Sequence, residues 1–262
     1  MVSNNEIDAV ISDNRPGLYH PAIPSVYITH QLTIQTNNRI LNRLIQKFHY
    51  HFINRFNECW VPDNQHDELA GILSHPEILP AVPVKYTGLL SRFKKKHHKF
   101  SHDFLLLISG PEPQRSIFEK LLLKLFDTVD GSFIIVRGLP GNKVNLTLKS
   151  LNARSYNHLS SDSLNLIFQQ CEMVVARAGY STIMDVARLH KKAVLVPTPG
   201  QTEQEYLGKH LHEKKLFYCL QQEELTLKKM NDLRSLPFKA NDTPSEMNAE
   251  MITDWLQSFS RK

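Results

Sequence analysis

The chain has 262 residues, 41% hydrophobic and 22% charged, a globular composition that excludes whole-chain disorder or coiled coil and leaves room for one large domain or two ordinary ones. The net charge of +5 is a modest excess, and the 3 scattered cysteines (Cys59, Cys171, Cys219) give neither a disulfide framework nor a zinc spacing, which points to a reducing cytoplasm. No apolar stretch approaches the length needed to cross a bilayer core of about 30 Å, and the first residues lack the basic and apolar regions of a leader.

In chain order, residues 9–12 form a short apolar run that ends in the turn cluster Asp13-Asn14-Arg15-Pro16-Gly17. Residues 25–29 read as a second strand, left at His30-Gln31. Leu41, Leu44, Ile45, Phe48, Phe52, Ile53 and Phe56 then recur at helical spacing, and residues 59–61 read as a strand stopped by Pro62. Strand, strand, helix, strand is α/β grammar, but too little of it to bury both faces of a sheet, so residues 1–62 read as a partial domain. Residues 63–102, with Pro76, Pro80 and Pro83, read as a linker around one short strand at 84–87. They include the basic run Arg92-Phe93-Lys94-Lys95-Lys96-His97-His98-Lys99, read as a solvated connection, with contact to phosphates or an anionic surface as the alternative. No nucleic-acid module accompanies the run, and the histidine pairs His49/His51 and His98/His102 lack further ligands, so neither nucleic acid nor a metal is expected.

From residue 103 to 262 the pattern is regular. Apolar strand runs at 104–108, 133–136, 144–148, 173–176, 193–196 and 217–220 alternate with helical patterns, and two more helices close the chain. Such alternation with short connections predicts an α/β domain with a doubly wound parallel sheet. Ligands in these sheets bind beyond the carboxyl ends of the strands, which directs attention to three turns.

The first turn, Ser109-Gly110-Pro111-Glu112-Pro113-Gln114-Arg115, has one glycine and a cation, but its prolines remove backbone donors. The second, Arg177-Ala178-Gly179-Tyr180-Ser181-Thr182, frees the backbone at Gly179 and opens a helix whose first N–H groups accept an anion. Asp185 lies one turn further; Thr182-x-x-Asp185 also fits a capping box, so a structural role stays open. The third turn carries Gln201, Gln204 and Glu205, amides and a carboxylate suited to sugar hydroxyls, while Thr202-x-x-Glu205 again fits a cap.

Three separated blocks, Val174-Val175-Ala176-Arg177-Ala178-Gly179-Tyr180-Ser181-Thr182-Ile183-Met184-Asp185, then Val194-Leu195-Val196-Pro197, then Gln204-Glu205-Tyr206, resemble in order the C-terminal domain of the family 28 glycosyltransferases. The resemblance runs from Tyr86 to the C-terminus, and residues 10–63 look like the last portion of the acceptor domain of that type. It implies a GT-B fold: two Rossmann-like domains facing a cleft, here a complete donor domain at 103–262 and a partial acceptor domain at 1–62, with the last helix able to pack back on the latter. It implies that Asp185 grips the nucleotide ribose, that the Gly179 turn with Ser181 and Thr182 meets the diphosphate, and that Gln204 and Glu205 read the donor sugar; Tyr180 and Gln201, in the same two turns, count with the donor-binding residues. Arg92, Gly110 and Arg115 fall on the same donor side, although Gly110-Pro111-Glu112-Pro113 departs from the family's glycine-rich loop. On the acceptor side stand Asp13, Asn14, Arg15 and Gln31, with His30 as candidate base because imidazole titrates near neutrality. The family's glycine-rich start of the acceptor domain has no counterpart here.

The implied activity is transfer of a hexose from a nucleotide sugar, UDP-linked, to a hydroxyl of a glycan or lipid-linked acceptor, with inversion. It needs no cofactor or metal, since the helix N-terminus and an arginine stabilise the leaving diphosphate. The implied location is the cytoplasm, with a peripheral place at the inner face of the membrane as an option, and a partner chain supplying the missing acceptor half is an option that belongs to the non-catalytic reading. A sugar-nucleotide hydrolase on the same site, or a non-catalytic donor-binding subunit, are the alternatives.

Overall fold

The computed structural model describes residues 7–35, 39–66, 68–127, 131–144, 146–236 and 249–260. The chain divides into two compact units, Met1–Leu90 with Pro244–Lys262, and Ser91–Thr243.

The first unit is built on a parallel sheet of four strands in sequence order, β1 (Val10–Asp13), β2 (Ser25–Ile28), β3 (Glu58–Val61) and β4 (Val84–Tyr86), with α1 (Arg39–Ile53) crossing from β2 to β3. Alternation along the strands divides its core into two layers. Tyr27, Cys59 and Val61 face Ile53 of α1 together with Leu32 and Phe56. Val26, Ile28 and Trp60 face the other way, where the C-terminal helix Ala249–Ser260 covers them with Trp255, its ring edge-on to Trp60 at 5.6 Å. The second face, which residues 1–62 alone leave bare, is thus closed by a segment from the far end of the sequence.

The second unit follows as β5 (His102–Leu107), α2 (Gln114–Phe126), β6 (Phe133–Val136), β7 (Ala153–Tyr156), α3 (Ser161–Gln170), β8 (Cys171–Ala176), α4 (Tyr180–Arg188), β9 (Lys192–Leu195), α5 (Thr202–Glu213), β10 (Tyr218–Cys219) and α6 (Leu227–Ser235), ahead of the C-terminal helix, α7. Its sheet is parallel with strand order β10-β9-β8-β5-β6-β7. The order reverses between β5 and β8, the place where a crevice opens in doubly wound sheets. Register puts Tyr156, Val136, Leu107, Ala176, Leu195 and Cys219 in one row, so every strand-to-helix turn leaves the same edge at the same level. Phe104, Leu106, Ile108, Met173, Val175 and Val194 turn one face to Phe118, Leu122 and Phe126 of α2.

Two expectations change. The strand expected at 144–148 is not formed at residues 144 and 146–148, residue 145 lying outside the described ones; the strand is Ala153–Tyr156 instead. It sits at the sheet edge with one neighbour, so Ala-Arg-Ser-Tyr meets the weaker demand for apolar burial there. Residues 63–102 are shared between the units: β4 completes the first sheet, and the basic run belongs to the second unit. Phe93 is buried against Phe168, the Lys94 carbonyl accepts from Asn165 and Gln169 side chains at 3.2 Å, and the Lys96 N–H donates to Gln169 Oε1. The run is therefore a strap fastened to α3, with its cationic side chains exposed.

Candidate nucleotide-sugar site

Within the second unit, β8 delivers Ala176 to the sheet edge and the chain turns through Arg177, Ala178 and Gly179 into α4. Gly179 is the N-cap of α4 and, having no side chain, makes no side-chain cap hydrogen bond. Its φ of −77° is one any residue adopts, and a Cβ there would meet nothing within 4 Å. Neither strain nor packing demands glycine; the position holds open a space above a helix N-terminus, which favours an anion. Ser181 and Thr182 lie on this first turn, whereas the Tyr180 side chain is buried in the core.

Asp185 is not a capping residue, because α4 starts at Tyr180 and puts it beyond the first turn. The half-buried carboxylate instead accepts from Ser91 Oγ at 2.5 Å through Oδ1. Burial pushes its pKa above the usual carboxylate range, against the opposing pull of the Ser91 hydrogen bond and the Arg92 charge. The strap thus brings Arg92 and Asp185 into one neighbourhood.

The turn after β5 is arranged differently. Gly110, at φ +101°, takes a left-handed turn that favours glycine. Arg115 is buried and faces inward: Nε donates to Glu112 at 2.6 Å, and Nη1 donates to Glu119 at 2.7 Å and to the Arg137 carbonyl. Glu119 also holds Arg137 at 2.5 Å, and Glu112 accepts from the Ser116 N–H and hydroxyl. The Arg115 guanidinium and the Ser116 donors are thus taken up locally, chiefly by Glu112 and Glu119.

At the third turn Gln201, Gln204 and Glu205 come together. Gln201 is the N-cap of α5 and accepts from Gln204 Nε2 at 2.6 Å, Gln204 Oε1 accepts from the Thr198 N–H, and Glu205 Oε1 accepts from the Gly200 N–H, the last two at 2.9 Å. The carboxylate reaches back in the manner of a cap, from one residue further into the helix than the Thr202-x-x-Glu205 spacing implied. The three side chains form one polar surface around the loop.

Arg177, which the sequence reading left without a role, joins the turns. It is 2% exposed, lies over the Phe118 ring at 4.0 Å, and donates to the carbonyls of Val196, Pro197 and Gln114 and to Gln222 Oε1. Burial lowers its pKa to about 10, which leaves it cationic at neutral pH. Ser91 was missed as well; its contact with Asp185 spans 94 residues and leaves no local signal.

The remaining candidates lie in the first unit, at the carboxyl edge of its sheet, where Asp13 pairs with Ile28. Asn14 has φ +49°, and its Oδ1 accepts from the Tyr27 hydroxyl at 2.9 Å and from Thr29 Oγ1 at 3.4 Å. The Arg15 carbonyl accepts from Ser12 Oγ, and the Gln31 carbonyl from His49 Nε2. His30 is half-buried between Thr29 and Gln31. Asp13, Asn14, Arg15, His30 and Gln31 therefore share one edge. Among the described residues no group of three or more His, Cys, Asp or Glu is placed to hold a metal ion, and no helix is long and apolar enough to cross a membrane.

Residues 133–259 match the model of the glycosyltransferase family 28 C-terminal domain. A stretch of 73 residues is 32% identical to the UDP-N-acetylglucosamine--N-acetylmuramyl-(pentapeptide) pyrophosphoryl-undecaprenol N-acetylglucosamine transferase of Rickettsia akari (strain Hartford), covering 27% of this chain and 19% of that protein. Among solved structures, the spinosyn rhamnosyltransferase SpnG complexed with thymidine diphosphate aligns with 98% of this chain and 71% of its own, at a TM-score of 0.59 and 15% identity. Acinetobacter baumannii MurG aligns with 88% and 65%, at 0.52 and 14%. The fold is that of the GT-B glycosyltransferases, and residues 133–259 are similar to the C-terminal domain of glycosyltransferase family 28.

Proposed function

We propose that the second unit binds a nucleotide-sugar donor, UDP-linked, and that the chain serves transfer of the sugar to an acceptor hydroxyl with inversion. The observation that carries this reading is the N-terminus of α4, without a side-chain cap hydrogen bond from Gly179, under the open space at that residue, at the strand-order reversal, with Asp185 beside it. The diphosphate sits on the first-turn N–H groups of α4, which also stabilise it as leaving group, with Arg92 adding positive charge. Asp185 accepts from the ribose hydroxyls, and Gln201, Gln204 and Glu205 read the sugar. The acceptor belongs at the carboxyl edge of the first sheet, where His30 takes its proton and Asp13, Asn14, Arg15 and Gln31 orient it. A lipid-linked acceptor is supported by the Rickettsia relative, whose name includes pyrophosphoryl-undecaprenol, and a reaction at the inner membrane face is part of the same proposal.

Calorimetric titration with UDP tests the donor site. Asp185→Asn is expected to weaken binding about tenfold to a hundredfold, the range of hydrogen bonds to a charged group, with an unchanged melting temperature. Unchanged UDP affinity removes Asp185 from the site. Incubation with UDP-sugars without acceptor then separates transfer from hydrolysis, because stoichiometric release of free sugar is the hydrolase outcome.

A further inference from the structure

Asp185 is held by a neighbour that has no part in the proposed donor contacts. Ser91, the first residue of the second unit, donates its hydroxyl proton to Asp185 Oδ1 at 2.5 Å, while its oxygen accepts the Phe93 N–H at 3.2 Å. Phe93 is in turn buried against Phe168, and the next residues are fastened to Asn165 and Gln169 of α3. The hydroxyl therefore has a fixed origin and a fixed direction. The Ser91 contact uses Oδ1, which leaves Oδ2 as the second acceptor of the carboxylate.

We infer that Ser91 is a positioning residue: it fixes the rotamer of Asp185 and keeps it a carboxylate, so that Oδ2 is presented to a donor hydroxyl. The inference rests on the reading of Asp185 as a nucleotide ligand. Its physical basis is the conflict at this site. Burial favours the neutral acid, a neutral acid is the poorer acceptor, and the Ser91 hydrogen bond and the Arg92 charge oppose burial. Those are the groups acting on Asp185 from the strap; on its own helix Arg188 stands one turn further along.

UDP affinity measured against pH on the full chain tests this, with Ser91→Ala, Ser91→Thr and Asp185→Asn compared with the parent. Ser91→Ala is expected to weaken UDP binding about fivefold to twentyfold at neutral pH, less than the loss of the direct hydrogen bond in Asp185→Asn because Ser91 acts through Asp185. It also shifts the acid-side loss of binding to higher pH, since the proton is then held more tightly. Ser91→Thr, which keeps the hydroxyl, restores both. Unchanged or tighter binding by Ser91→Ala overturns the inference, the latter because the hydroxyl then merely occupies a place the ligand needs. If Asp185→Asn binds UDP like the parent, the donor-site reading fails first and the role of Ser91 with it. A melting-temperature loss common to Ser91→Ala and Ser91→Thr, without any pH shift, marks a structural contact and also overturns it.

Discussion

Two turns leave neighbouring strands at the same level, since Leu107 and Ala176 are register partners, and both lead into helices. The turn into α2 is closed. Its prolines lack N–H groups, Glu112 takes the Ser116 N–H and hydroxyl, and the one cation, Arg115, is buried between Glu112, Glu119 and the Arg137 carbonyl. In the turn into α4 the cap residue Gly179 has no side chain and the one acid, Asp185, accepts from Ser91 through Oδ1, whereas the space where a glycine Cβ would stand is open in both turns, at Gly110 and at Gly179. One fold and one edge thus yield a corner held by its own ion pairs and the corner proposed to bind the donor, and the local sequence makes the difference. A glycine or a cation at such a turn does not identify a phosphate site; what matters is whether the donors are already satisfied.

The largest effect belongs to the closed turn. Glu119→Gln leaves the buried Arg115 and Arg137 without their shared anion and is expected to cost about 3–5 kcal/mol of stability, read by urea denaturation. In the protein that remains folded, UDP affinity stays within about twofold, because the Glu119 carboxylate bonds Arg115 and Arg137 and no residue of the α4 turn; a larger loss breaks the division between the two corners.

Gly179→Ser closes the turn into α4. The serine fits the φ and the space, and its Oγ takes a first-turn N–H as an N-cap. Stability is expected to hold or rise slightly, while UDP affinity falls about tenfold as a helix donor is occupied and the approach narrowed. Serine tolerated without loss of affinity contradicts an anion at that point.

Acidification gives the smallest effect and separates the corners by sign. Burial raises the pKa of Asp185, so the folded chain binds this proton more tightly than the unfolded one. Its contribution therefore becomes more stabilising as pH falls through the raised value toward the ordinary carboxylate range, even as UDP binding declines over the same window. Asp185→Asn abolishes both trends at this site, and a pH dependence of binding that persists in that variant assigns the titration elsewhere.

Much of this architecture was legible because burial leaves a pattern. Residues 104–108 and 173–176 read as strands because both sides of a central parallel strand must be apolar. Ala153–Tyr156 was not legible, since an edge strand with one neighbour carries no such run. The inward fate of Arg115 had a signal that went unused: Glu112, Arg115 and Glu119 stand three and four apart, the helical spacing of ion pairs. The Thr182-x-x-Asp185 spacing leaves a cap and a ligand equally open, and the helix start at Tyr180, a shift within the ordinary error of helix boundaries, removes the cap. Ser91 with Asp185, and Trp255 with Trp60, lie beyond any local reading because only the folded chain brings them together.

The central claim, that the α4 turn and not the α2 turn receives the diphosphate, is tested most directly by following backbone amide resonances during UDP titration. The largest shifts are expected at Gly179, Tyr180, Ser181 and Thr182, with Asp185 following and residues 110–116 nearly still. Shifts concentrated at 110–116, or none at 179–182 with UDP bound, contradict the account.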